Sequence, residues 1–115
     1  MDERERREHD FVVAKMLAKA PKNSKELFKE AYAHDKKHEY DEAIADYTLV
    51  LEITHDEKTK RLLAKCYCKR GDNFLWDGKY YLALGDYQNA SSLRPNSNKY
   101  KNCINKVKKC IEDGV

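Results

Sequence analysis

Between Tyr67 and Pro95 large and small side chains recur at helical intervals: Tyr67, then Arg70 and Gly71, then Phe74, followed by Ala83, Tyr87 and Pro95. The spacing predicts two antiparallel helices. Gly71 and Ala83 are small where the helices must approach closely, and Tyr67, Phe74 and Tyr87 fill the space between them. Gly78 is placed to end the first helix in a left-handed conformation, and Pro95 stops the second. A weaker copy lies upstream. Leu27, Glu30, Ala31 and His34 precede Ala43 and Tyr47, and His55 falls where the closing proline belongs. Leu27 precedes Ala43 by the same interval at which Tyr67 precedes Ala83, and Tyr40 and Tyr80 each stand three residues before their alanine.

The flanks follow the same period. Asp2 to His9 is almost wholly charged, with pairs such as Asp2–Arg6 and Glu3–Arg7 that support a helix weakly; a frayed tail before Phe11 is the competing reading. Val13, Met16, Leu17 and Ala20 predict a leading helix that ends before Pro21. Ser24 is expected to cap the next helix. Ala43 and Ala83 lie 40 residues apart. The extra length near Thr54 to Leu63 is accounted for by an early start to the helix carrying Tyr67, capped by Thr54 or Asp56 with Leu62 and Leu63 on its buried side, or by a longer loop. After Pro95, Ser97 is expected to cap a last helix, whose stripe is Tyr100, Cys103, Ile104, Val107, Cys110 and Ile111 and whose other faces carry lysines.

These residues together resemble the tetratricopeptide-repeat family. Its signature is a bulky residue, then Leu-Gly-x2-Tyr, then Ala-x3-Phe and a closing proline, on a period of about 34 residues. The resemblance is strongest over 64–97 and weaker over 24–57. It implies an all-α, right-handed solenoid of helical hairpins with about six helices in a single domain, residues 1–115. A charged segment and leading helix occupy 1–21, the first repeat 24–57, the second repeat with its extended first helix 58–97, and a capping helix 98–112. A terminal repeat needs such a cap because it cannot leave its apolar face bare. Two repeats are few for a stack, so the flanking helices, a second chain or a neighbouring repeat must complete the cover.

Composition narrows the function classes. A chain of 115 residues with 41% hydrophobic and 37% charged residues suits small amphipathic helices, and only 4 Gly and 2 Pro argue against an all-β fold. The net charge of +3 is too small to imply nucleic acid by itself. Phe11 to Ala14 is cut short by Lys15, so no secretory signal is expected. The expectation is a soluble, cytoplasmic protein with reduced cysteines. There is no phosphate loop, zincin or nucleophile-elbow motif, so no enzyme activity is expected. Cys66, Cys68, Cys103 and Cys110 have poor spacing for zinc, and packing is the preferred reading, with Cys68 alternatively facing a groove. His34 and His38 stand four apart, but no partner ligands are evident, and no cofactor or metal is expected.

The resemblance implies that the first helix of each repeat lines a concave groove that holds a peptide or a partner helix. Carried over by position, the groove residues are Phe28 and Tyr32 from the first copy, Lys65, Lys69, Asp72 and Trp76 from the second, and Lys99 and Lys106 from the capping helix. The subgroup that grips chaperone carboxylates uses positions that here hold Phe28, Tyr32, Lys69, Lys99 and Cys103. Only Lys99 matches outright, so that full clamp is disfavoured. The expected function is a non-catalytic adaptor for an acidic-hydrophobic protein segment, with aromatic anchors and lysines to attract it. The structural alternatives for those residues are that Phe28 packs on the leading helix, that Trp76 covers the Gly78 turn, and that the lysines are solvation. The functional alternatives are self-association, including a homodimer, or docking in a larger assembly; co-chaperone and nucleic-acid binding stand lower.

Overall fold

The structure, a computed structural model, describes residues 23–114. The charged segment and the leading helix expected before Pro21 lie outside the described residues. Within them the chain is all-α, with five helices and no strand: α1 (Ser24–Lys36), α2 (Tyr40–Thr54), α3 (Glu57–Trp76), α4 (Tyr80–Leu93) and α5 (Asn98–Glu112). The chain divides into two compact units, Met1–Thr59 and Lys60–Val115.

In the first unit, α1 and α2 pair as a hairpin. Leu27, Leu49 and Val50 form its apolar cluster, with Phe28 packed against them. Ala31 and Ala43 are buried, as is the Tyr47 side chain, whose hydroxyl donates to Asp35 Oδ2 at 3.3 Å. The α1–α2 turn is tight although it holds no glycine. His38 takes the left-handed conformation there, at φ 62°, and its Nδ1 lies 2.7 Å from the Tyr40 hydroxyl. His55 does the same at the end of α2, at φ 55°, where the second copy has Pro95.

The second unit packs α3, α4 and α5 around Ala64, Cys68, Ala83, Tyr87, Ala90, Tyr100 and Val107, with Tyr67, Phe74, Cys103 and Ile104 half-buried against them. Gly71 explains the close approach of α3 and α4. A Cβ there would stand 2.9 Å from Tyr87 Cε1 and 3.3 Å from Asp86 Cβ, so any larger residue meets a ring that has nowhere to go. Gly78 closes the α3–α4 turn at φ 77° with open space around it, which makes its role purely conformational.

The helix ends correct two expectations, the caps at Ser24 and Ser97, and decide a third in favour of helix. Asn23, not Ser24, caps α1: its Oδ1 accepts from the Glu26 N–H at 2.9 Å, and Ser24 is the first helical residue. The extra length before the second copy is helix, not loop, since only His55 and Asp56 separate α2 from the 20-residue α3. Asp56 caps it, accepting from the Thr59 N–H at 2.6 Å and from the Thr54 hydroxyl at 2.8 Å. Leu63 is buried and Leu62 half-buried beyond that cap. Ser97 stands at the head of α5, but its side chain makes no capping hydrogen bond.

Candidate surface on the second unit

Lys65, Lys69, Asp72 and Trp76 follow one another at intervals of four, three and four along α3, which places them on one face of that helix. Lys65, Asp72 and Trp76 are exposed and Lys69 is half-buried, so the face is turned to solvent. Trp76 is 92% exposed at the last turn. It does not cover the Gly78 turn, which the packing alternative required. Tyr81, in the first turn of α4, is 75% exposed. Sequence reasoning missed it, because two adjacent tyrosines at a helix start give no sign of which one turns inward; Tyr80 does.

From that face Asp72 reaches the edge of the core. Asp72 accepts a hydrogen bond from the Tyr87 hydroxyl at 2.5 Å. Burial, that hydrogen bond and the charge of Asp72 together push the Tyr87 phenol upward from its ordinary range, so it remains a donor. Cys68, one turn before Asp72, is only 3% exposed. Burial first, and then the carboxylate of Asp72, push its thiol up to about 12, while Lys99 acts in the opposite sense. Cys68 is therefore a protonated thiol at neutral pH. Lys99 belongs to α5, and Cys103 of the same helix packs against the cluster that contains Cys68, so α3 and α5 meet here. Lys99 and Lys106 are exposed on α5 to either side of the half-buried Cys103.

The core also holds a charge pair that the sequence reading did not find. Arg70 reaches across to Asp86 with Nε to Oδ2 at 2.9 Å and Nη2 to Oδ1 at 2.8 Å. Asp86 is fully buried, and the guanidinium also lies over the rings of Tyr67 and Phe74, at 5.6 and 5.9 Å. The bidentate fork satisfies both carboxylate oxygens. Arg70 and Asp86 are separated by the same interval as Tyr67 and Ala83, but that interval alone does not separate a buried arginine from a solvated one. In the first copy the matching positions are Glu30 and Asp46, both acidic, and the partnership differs. His34, which holds the place of Phe74, sets Nε2 3.9 Å from Asp46 and Nδ1 3.0 Å from Glu39.

Phe28 and Tyr32, at the first-copy positions that correspond to Cys68 and Asp72, are described within their own unit. Phe28 is half-buried, its ring edge-on to Tyr47 at 5.7 Å with the Lys58 ammonium 5.2 Å from its centroid. Tyr32 is 46% exposed, with the Lys36 ammonium 5.1 Å from its ring. Cys66 and Cys68 are buried and Cys103 and Cys110 half-buried; none forms a disulfide. Among the described residues no three His, Cys, Asp or Glu side chains gather as a metal site, and no helix is long and apolar enough to cross a membrane. Comparison of the chain with protein-family models gives no match, and comparison with curated proteins gives none either.

Proposed function

We propose that this chain is a non-catalytic interaction module of tetratricopeptide type that holds a peptide or helix of a partner protein. In the second unit the partner lies along the solvent-facing stripe of α3, with Trp76 as its anchor and Lys65, Lys69, Lys99 and Lys106 drawing in its acidic groups. Phe28 and Tyr32 are the corresponding positions of the first copy. The single observation that carries the reading is the 92% exposure of Trp76 at the end of a helix whose same face bears Lys65 and Lys69. An indole left in water is a large apolar surface still to be covered, and such residues dominate binding energy where a partner desolvates them. The lysines suit an acidic-hydrophobic segment and speed its approach.

The partner is proposed to be cytoplasmic protein, and the full chaperone carboxylate clamp remains disfavoured because Phe28, Tyr32 and Cys103 stand where it needs other groups. Panning a displayed library of random peptides against the intact protein tests the reading. Recovered peptides are expected to combine acidic and large apolar residues. Trp76→Ala is expected to weaken their binding by tenfold or more, on the order of 1–2 kcal/mol, and Lys69→Glu to weaken it further at low salt. Unchanged affinity in both variants, each with its helical circular dichroism intact, overturns the proposal.

A further inference from the structure

We propose that α5 is a contact for duplex DNA: its outward half lies in the major groove, with lysines on both shoulders against the two rows of phosphates. The inference goes beyond the binding role assigned to α3 and does not rest on it. The chain's net charge of +3 joins two unlike halves. Residues 60–115, the second unit, hold twelve lysines and arginines against five acids, a formal charge of +7, whereas residues 1–59 hold eleven against fifteen and carry −4. A single helix supplies most of the excess. α5 bears Lys99, Lys101, Lys106, Lys108 and Lys109 against Glu112 alone. All five lysines are exposed, and none makes an ion pair with another described residue. Cationic charge gathered along one helix of a basic unit is the electrostatic footprint of a phosphate-binding surface.

The arrangement of those lysines selects the duplex. α5 is fixed to the core by Tyr100, Ile104 and Val107, which leaves the opposite half of the helix in solvent. Lys99 and Lys106 lie almost two turns apart along one shoulder of that half, and Lys101 and Lys108 lie along the other. Asn98, Asn102 and Asn105 form the exposed ridge between them, together with Lys109. An α-helix about 10–12 Å across fits the major groove of B-form DNA, about 12 Å wide. Two rows of ammonium groups then face the phosphates on either side, and the asparagine amides, which both donate and accept, reach the base edges. The lysines carry point charges rather than the planar forks that read guanine, so the contact is held mainly by phosphate, with little sequence preference. Among the described residues the exposed large apolar side chains are Tyr32, Ile53, Trp76 and Tyr81, none of them on α5. The helix thus offers no wedge for a bilayer and no ring on which unpaired bases stack. An acidic peptide laid there would find charge without an anchor. A-form RNA keeps its major groove too narrow to admit the helix.

The test is fluorescence anisotropy of a labelled twenty-base-pair DNA duplex titrated with the intact chain. Binding is expected at 50 mM salt, and raising salt to 200 mM is expected to weaken it roughly two hundredfold, as counterion release from about four or five phosphates requires. Lys101→Glu with Lys108→Glu is expected to lower affinity about tenfold or more and to flatten the salt dependence. Lys29→Glu with Lys37→Glu changes the net charge equally on the first unit and is expected to leave affinity within about threefold. All four positions are exposed, so helical circular dichroism is expected to be unchanged, and lost binding then reads as lost contact. A duplex RNA of the same sequence, polyglutamate and vesicles of anionic lipid are each expected to bind more weakly than DNA. Absence of salt-dependent binding, equal losses in the two double variants, or any of those three ligands bound as tightly as DNA, overturns the proposal.

Discussion

The ring of Tyr87 lies where a side chain at position 71 would otherwise stand. Because that ring is buried and its hydroxyl is tied to Asp72, it cannot swing away. Gly71→Ala is therefore expected to destabilise the fold by about 1–3 kcal/mol despite the better helix propensity of alanine, as measured by urea denaturation. A neutral or stabilising result contradicts the packing described here. The matching residue of the first copy is Ala31, fully buried, so the same demand for smallness is met there with one carbon to spare. The second prediction at this scale concerns Arg70 and Asp86. Removing one partner leaves a buried charge alone, so Arg70→Met is expected to cost about 3–5 kcal/mol. The double variant Arg70→Met with Asp86→Leu is expected to recover most of that loss. Additive losses in the double variant argue against coupling. The glycine was legible in the sequence because smallness at a helical crossing has few other reasons. The ion pair was not, since nothing in its two residues separates a buried arginine from the many solvated ones until the facing helix is in register.

At the scale of helices, the ends were less legible than the middles. Their apolar stripes predicted α1 to α5 because burial repeats over several turns, whereas each cap depends on one side-chain torsion. Asn23 and Ser24 are both good caps by type, and the choice between them follows from which one leaves the helix first. Ser97 holds the capping place without making the bond. Asp56 is the cap whose charge can be read in solution. The Thr59 N–H foremost, then the hydroxyl of Thr54, hold its carboxyl below the ordinary range. Its folded value is thus lower than its unfolded one. The contribution is complete above the unfolded value and disappears as pH falls through the folded one. Asp56→Ala is expected to cost about 1 kcal/mol at neutral pH. Asp56→Asn keeps the acceptor but cannot titrate, so its stability is expected to fall less steeply than that of the parent below about pH 4. Parallel acid limbs in the two proteins speak against the capping role.

Across the whole chain, a solitary tryptophan sits in a protein with eight tyrosines. Since Trp76 is nearly bare in the folded state, unfolding changes its surroundings little. Its emission is expected to start near that of hydrated indole and to move only slightly through a urea titration, while the helical circular dichroism collapses. A strong red shift on unfolding shows the indole to be covered. The same nakedness makes it a sensitive reporter of partner binding, where a blue shift is expected. The all-helical class was legible from periodicity and from the scarcity of glycine and proline. The candidate face was legible only in part: helical spacing groups Lys65, Lys69, Asp72 and Trp76, but nothing in the sequence distinguishes a bare indole from one folded over its own turn. Nor does it bring Cys103 against the cluster that holds Cys68, which only the docking of α5 achieves.

The seat of Tyr87 against Gly71 has a consequence for the chain's alignment. One turn along α3 in either direction the ring would meet Tyr67 or Leu75, neither of which leaves a gap. The hairpin thus has a single notch for a single tooth, and sliding α3 past α4 by a turn would jam rather than find a second resting place.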